Sequence, residues 1–354
     1  MKKTTIFVII LLLFLLVGCK NSVSQLEEDI LRGAEKVEEE PIDEKAEKIE
    51  IVEAKEGIPS PLSGIYAPEE KVNRRPIAIM FDNHPKARWQ AGLSQGEIIY
   101  EFLVEAPYTR YMGIFLINEP ESIGPIRSSR PYFITALLEY DPIYVRVGGS
   151  PQAKRDIIQL NVADIDGLSS SNKVLWKNTK VGKKAPHNTY TNMRAIRKAQ
   201  QQKGYGLIGE YQGFEFHDED EELEGFTATD IHINYFKNNT TSYSYNPEER
   251  LYYRQKDGEN HYDELTNSPI TAKNIIVQEA KTKIIDNEGR LSIDLVGEGK
   301  GKYITNGKGI NIKWSKNARS SKTYYCDENG KEIVLNPGIT WIQVVSTDSN
   351  INIH

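Results

Sequence analysis

After the acidic run Asp218-Glu219-Asp220-Glu221-Glu222-Leu223-Glu224, no stretch of this chain repeats apolar residues at the helical period. Segments 231–236, 242–245, 251–254, 274–285, 291–296, 310–314, 322–326 and 340–345 instead alternate or are β-branched. Asp257-Gly258, Glu288-Gly289, Asn306-Gly307 and Asn329-Gly330 fall between them, and such pairs favour tight hairpin turns. This pattern predicts a β-rich domain at 225–354, built as a small barrel or sandwich.

Residues 74–224 read differently, as an α/β or α+β domain. Pro76-Ile77-Ala78-Ile79-Met80-Phe81-Asp82 is nearly continuous in apolar residues, as in a buried central strand. Further strands are expected at 97–104, 111–117 and 142–147. The first of these also fits a helix, because Ile98, Phe102 and Glu105 share that period. Helices are expected at 131–140, after Gly148-Gly149 with Ser150 as N-cap and Pro151 at the first position, and at 191–203 before Gly204.

The N-terminus is an address rather than a fold. Lys2 and Lys3 precede an apolar run over 6–17, shorter than the ~20 residues that span a bilayer. The run ends Leu16-Val17-Gly18-Cys19, the pattern of a lipoprotein signal of residues 1–18. Cys19 would be acylated and become the first residue after cleavage. A plain secretory signal or an uncleaved anchor are the competing readings. Two or three acyl chains give stable anchoring, here on the extracytoplasmic face of the cell membrane. Residues 19–73 are expected to form an acidic flexible tether. The formal net charge of −6 is −8 in this tether and +2 in the signal, since residues 73–354 carry equal numbers of basic and acidic groups. Within that neutral part, 73–217 is basic and 218–354 acidic. The acidic run at the junction either docks on the basic half or, as expected, is a solvated loop. No basic stripe for nucleic acid remains. Two cysteines exclude a disulfide scaffold; with Cys19 acylated, Cys326 is expected to be a lone, small, buried strand residue.

Several strings together resemble the YerB-like lipoproteins of Gram-positive bacteria, a family of two conserved parts with no established activity. They are Arg75-Pro76-Ile77-Ala78-Ile79-Met80-Phe81-Asp82-Asn83-His84-Pro85-Lys86-Ala87-Arg88, the pair Glu101 and Glu105, Thr109-Arg110-Tyr111, Ile123-Gly124-Pro125-Ile126-Arg127-Ser128-Ser129-Arg130-Pro131-Tyr132 and Val147-Gly148-Gly149-Ser150-Pro151-Gln152-Ala153. In the second half they are Ala272-Lys273-Asn274-Ile275-Ile276-Val277 and Leu335-Asn336-Pro337-Gly338 with Thr340-Trp341-Ile342. The resemblance covers nearly all of 75–345 and implies a lipid-anchored envelope protein. It implies no reaction and no catalytic residue.

The polar residues in these strings are the candidate ligand-binding set: Asp82, Asn83, His84, Glu101, Glu105, Arg110, Arg127, Arg130, His187 and Asn188. Asp82-Asn83-His84 follows a buried strand, where α/β sheets place ligand-contacting groups. The arginines offer planar forks to carboxylate or phosphate. One reading is general acid/base chemistry by Asp82 or Glu101 with His84, as in a wall-directed hydrolase or transferase. The opposing reading is structural, with Glu101 and Glu105 in buried ion pairs and Asp82 and His84 capping a turn. An anion-binding pocket lies between them and is preferred. The six histidines show no metal-ligand spacing, and no cofactor motif is readable. Gly297-Glu298-Gly299-Lys300-Gly301 fits a hairpin better than a phosphate loop. The expectation is a binding or regulatory module of the cell envelope, its partners a cell-wall polymer or a wall-modifying protein. Solute capture for a transporter would need two similar lobes, and the halves are dissimilar.

Overall fold

The computed structural model describes residues 55–354; the signal segment, Cys19 and the tether up to residue 54 lie outside the described residues. The first half supplies β1 (Ile77–Asp82), β2 (Ile98–Leu103), β3 (Thr109–Phe115), α1 (Pro131–Leu137), β4 (Ile143–Arg146), α2 (Pro151–Gln159), β5 (Asp164–Asp166) and α3 (Met193–Gln202). The second half supplies β6 (Phe226–Thr227), β7 (Asp230–Phe236), β8 (Asn239–Asn246), β9 (Leu251–Lys256) and β10 (Asn274–Ala280). After these come β11 (Gly297–Thr305), β12 (Lys308–Lys316), β13 (Tyr324–Cys326), β14 (Thr340–Ser346) and β15 (Asn350–Ile353). A mixed first part and a strand-rich second part are what the sequence pattern predicts.

The expected boundary at 224/225 does not divide the main sheet. Its order is β6-β12-β11-β10-β14-β2-β3-β1-β4-β5, with β13 also on β12. β14 lies parallel to both β10 and β2, pairing Thr340 with Asn274 on one side and with Ile98 on the other. A second sheet, of β9, β8, β7 and β15 with two short strands, packs on one face. There Ile231, Ile233, Tyr243 and Tyr252 meet Ile275, Val277 and Trp341, while Met193, Ile196 and Ala199 of α3 cover Ile77 and Ile79. On the opposite face, Phe133, Ile134 and Leu137 of α1 and Ala153 and Ile157 of α2 cover Ala78, Met80, Tyr100 and Met112. The β-rich half is thus divided between the layers of a sandwich: β7, β8, β9 and β15 close against a main sheet that both halves build.

Local rules explain most boundaries. The 97–104 segment is a strand because Tyr100 and Phe102 enter one core while Ile99 enters the other, a period of two. α2 starts as expected, with Ser150 Oγ accepting the Ala153 N–H at 3.3 Å and Pro151 following. α3 starts at Met193, because the Asn192 side chain accepts the Ala195 N–H at 2.8 Å.

One expectation needs correction. The tether was expected to run to residue 73, yet Ile58–Pro59 pairs with Tyr66–Ala67 and Leu62 is fully buried. The Ser60 and Ser63 hydroxyls donate to Glu97 Oε1 at 2.6 and 3.0 Å. The acidic run is, as expected, an exposed loop, not docked on the first half. Asp220 accepts from Lys273 and Arg250, at 2.5 and 2.6 Å, and from Asn306 at 2.9 Å, all in the second half. The glycine-rich 297–301 segment opens β11, and its bareness is a packing requirement. The Trp314 indole crosses it to donate to the Glu279 carbonyl at 2.8 Å, and a Cβ on Gly299 would sit 2.5 Å from that nitrogen.

Candidate functional site

β1 stops at Asp82 because its carboxylate turns the chain. Asp82 Oδ1 accepts the His84 N–H at 3.0 Å, and His84 Nδ1 accepts the Lys86 N–H at 3.1 Å, opening a short turn at Pro85–Ala87. The segment after Gly124 runs beside the strand end, with Asp82 N–H donating to Pro125 and Arg127 N–H to Met80. Arg127 in turn accepts from Val147 beyond β4. The carboxyl ends of the parallel strands β1 and β4 therefore converge here.

Asp82 is buried, and its Oδ2 meets two partners from elsewhere in the chain: His187 Nδ1 at 2.8 Å and Arg127 Nε at 3.3 Å. A carboxylate can only accept, so His187 Nδ1 carries the proton and Nε2 is left as the acceptor in the neutral ring. His84 has the opposite tautomer, since its Nδ1 accepts and Nε2 must carry the proton. The two rings stack at 4.5 Å with 19° between planes, and Tyr108 closes against His84 at 4.6 Å. Burial and the neighbouring His187 hold His84 below the usual histidine range.

A second cluster adjoins it. Arg130 grips Glu105 side-on, Nε to Oε1 at 2.5 Å and Nη2 to Oε2 at 2.8 Å. Arg110 lies 3.7 Å from the same carboxylate and donates to the Ser128 carbonyl at 2.9 Å. Burial and the adjacent Arg130 push Arg110 down to about 10. Burial alone would raise Glu105; the Arg130 bonds and charge outweigh it and lower it. Arg127 differs from both. Its side chain is 29% exposed, and among the described residues neither Nη has an acceptor.

Glu101 belongs elsewhere. It is fully buried between the sheets, accepting from Thr109 (2.7 Å) and Lys256 (3.1 Å) on one oxygen and from Thr241 (3.0 Å) and Arg254 (2.5 Å) on the other. Burial opposes its charge, but Lys256 and Arg254 overcome that and hold it at about 2. Arg254 lies over the Trp341 ring at 4.4 Å and donates to His261 Nδ1 at 2.6 Å. Glu101 is thereby removed from any acid/base set with His84. Asn83 touches both regions: its amide donates to Thr109 at 2.7 Å, and its oxygen accepts from Arg88 at 3.2 Å. Asn188 is buried with its Oδ1 unpartnered.

The structure thus brings together Asp82, His84, Arg127 and His187, with Glu105, Arg110 and Arg130 alongside. Sequence reasoning paired Asp82 with His84, two residues away. The ring that bonds it is His187, 105 positions later, and nothing local marks that partner. Tyr108 and Lys86 at the rim were also missed. Among the described residues no group of three His, Cys, Asp or Glu side chains is placed to hold a metal ion.

Residues 62–206 match the model of a family described as protein of unknown function (DUF3048), N-terminal domain, and residues 231–342 match its C-terminal domain. A protein of Bacillus subtilis (strain 168) named "Putative lipoprotein YerB" is 36% identical over 291 residues, 81% of this chain and 86% of that protein. The crystal structure of the YerB protein from Bacillus subtilis matches with a TM-score of 0.75 at 34% identity, covering 83% of this chain and 99% of the other.

Proposed function

The chain belongs to the two-part DUF3048 family, and from that premise we propose that it is a lipid-anchored protein of the extracytoplasmic membrane face, binding an anionic group of the cell envelope. The anchor reading is supported by Leu16-Val17-Gly18-Cys19 and by the name of the Bacillus subtilis relative. No helix among the described residues is long and apolar enough to cross a membrane. Globomycin should make a precursor accumulate, and Cys19→Ser should abolish acylation; unchanged processing in both would remove the anchor.

The observation that carries the binding reading is Arg127. Its Nε is held by Asp82, and its outer nitrogens have no acceptor among the described residues. Arg110, Arg127, Arg130 and Lys86 outnumber the Asp82 and Glu105 carboxylates around them, so a guest carboxylate or phosphate meets a positive field. Both chemistries occur in wall polymers. Calorimetry with muropeptides and with glycerol phosphate polymers tests this, and Arg127→Ala is expected to weaken binding at least about tenfold, a charge-assisted bond being worth ~1.5–3 kcal/mol. Absence of binding to either class would remove the proposal. A wall-modifying protein carrying such an anion is the alternative partner.

A hydrolase or transferase is the second reading, favoured by the 2.8 Å bond between Asp82 and His187. The carboxylate orients the ring and leaves Nε2 as a general base. Release of soluble fragments from purified wall, lost in His187→Ala, would establish it; unaltered wall would leave binding alone.

A further inference from the structure

At the other end of β1, about 20 Å from Asp82 along a six-residue strand, two arginines stand together with donors unused. Arg74 spends Nε on the Leu116 carbonyl (2.6 Å) and Nη1 on Glu119 (2.5 Å); its Nη2 is buried with no partner. Arg197 of α3 spends Nη1 on the Arg75 carbonyl (2.7 Å) and on Gln200 (3.2 Å); both its Nε and its Nη2 are buried with no partner. Those two nitrogens form the side-on edge of the guanidinium. Arg130 uses that edge to grip Glu105, and Arg146 uses it to grip Asp164 at 2.8 and 2.8 Å. On Arg197 the same fork is empty. Burial and the Arg74 charge push Arg197 down to about 10. Buried donors without partners are rare in native proteins and call for a bound ion or water, and side-by-side cations sharpen the demand for an anion.

The surroundings suit one. Arg197 also lines a cleft of about 870 Å³ with Arg194, Lys198, Asn192, Glu119 and Glu121, three basic side chains against two acidic. We propose that Arg197 and Arg74 form a second anion site, taking an oxyanion with two oxygens on one centre, a phosphate or a carboxylate, admitted through this cleft. Glu119, half-exposed and paired with Arg74, is the group that competes with the guest and moves aside.

The test is calorimetry with inorganic phosphate and with succinate on Arg127→Ala protein, in which binding at the Asp82 site is weakened. Saturable binding is expected to one of them, about tenfold or more weaker after a further Arg197→Lys, which keeps charge but loses the fork. Glu119→Gln should tighten it. Phosphate binding assigns phosphoryl ligands, and succinate binding assigns carboxylates. As a second readout, the preferred anion should raise the melting temperature of Arg127→Ala protein but not that of Arg127→Ala/Arg197→Met. No saturable binding of either anion, or binding indifferent to Arg197→Lys, overturns the site; neither outcome bears on the Asp82 site.

Discussion

Asp82 combines three duties in one carboxylate: it turns the chain at His84, fixes the tautomer of His187 and anchors Arg127. Its replacement by Asn is therefore expected to disturb the rings as well as the arginine, whereas Arg127→Ala alters only a partly exposed position. His261 shows how a buried residue governs pH behaviour. It accepts from Arg254 at 2.6 Å and bonds Gln90 through Nε2 at 2.8 Å, so it is neutral. Burial and the Arg254 charge hold it well below the usual range. Below its ordinary value of ~6.5 the unfolded chain takes up a proton that the native protein refuses, and stability falls as pH drops, by up to about 1.4 kcal/mol per pH unit. His84 is shifted in the same direction. Urea unfolding at pH 7.5, 6.0 and 5.0 measures the slope, and His261→Gln should flatten it. A slope unchanged by that substitution would count against the account.

At the level of elements, the tie between β2 and β9 is the costly one. Glu101 joins the two sheets through Arg254 and Lys256, with all three side chains fully buried. Glu101→Ala leaves two buried cations without a counter-ion, and a loss of about 3–5 kcal/mol is expected from chemical denaturation. Because Glu101 is held at about 2, its contribution is complete above the ordinary carboxylate value and is lost as pH falls from there toward 2. Helix starts matter less. Ser150→Ala removes the cap of α2 and should cost ~1 kcal/mol. Strand and helix positions were largely legible, because periodicity and caps are local. The pairing of Glu101 with β9 was not, since its partners lie 153 and 155 residues away.

For the molecule as a whole, β14 makes the two family parts interdependent. It fills the gap between β10 and β2, so removing the second half exposes the edge of β2 and uncovers one face of the first-half sheet. The chain from Ala54 to His354 forms one compact unit. A single cooperative unfolding transition is expected for residues 55–354, and fragments 55–224 and 225–354 expressed separately should show collapsed amide dispersion that mixing restores. Two separable transitions in the intact chain would contradict this. The residue pattern placed a change of character near 218–224 correctly, but a change of pattern is not a boundary of cooperativity.

By itself the sequence determined what short-range physics controls: strand and helix type, and the inventory of arginines, carboxylates and imidazoles. It held two readings of that inventory, ligand site and buried ion pair. Only the tertiary structure separated the enclosed carboxylate from the partly exposed cluster. Glu101 and Asp82 lie on strands of the same sheet, yet one is enclosed by two cations and the other joins a partly exposed arginine and two stacked rings. A side chain's chemistry depends on the solvent and charges around it, and the deciding neighbours His187, Arg254 and Lys256 arrive from more than a hundred residues away.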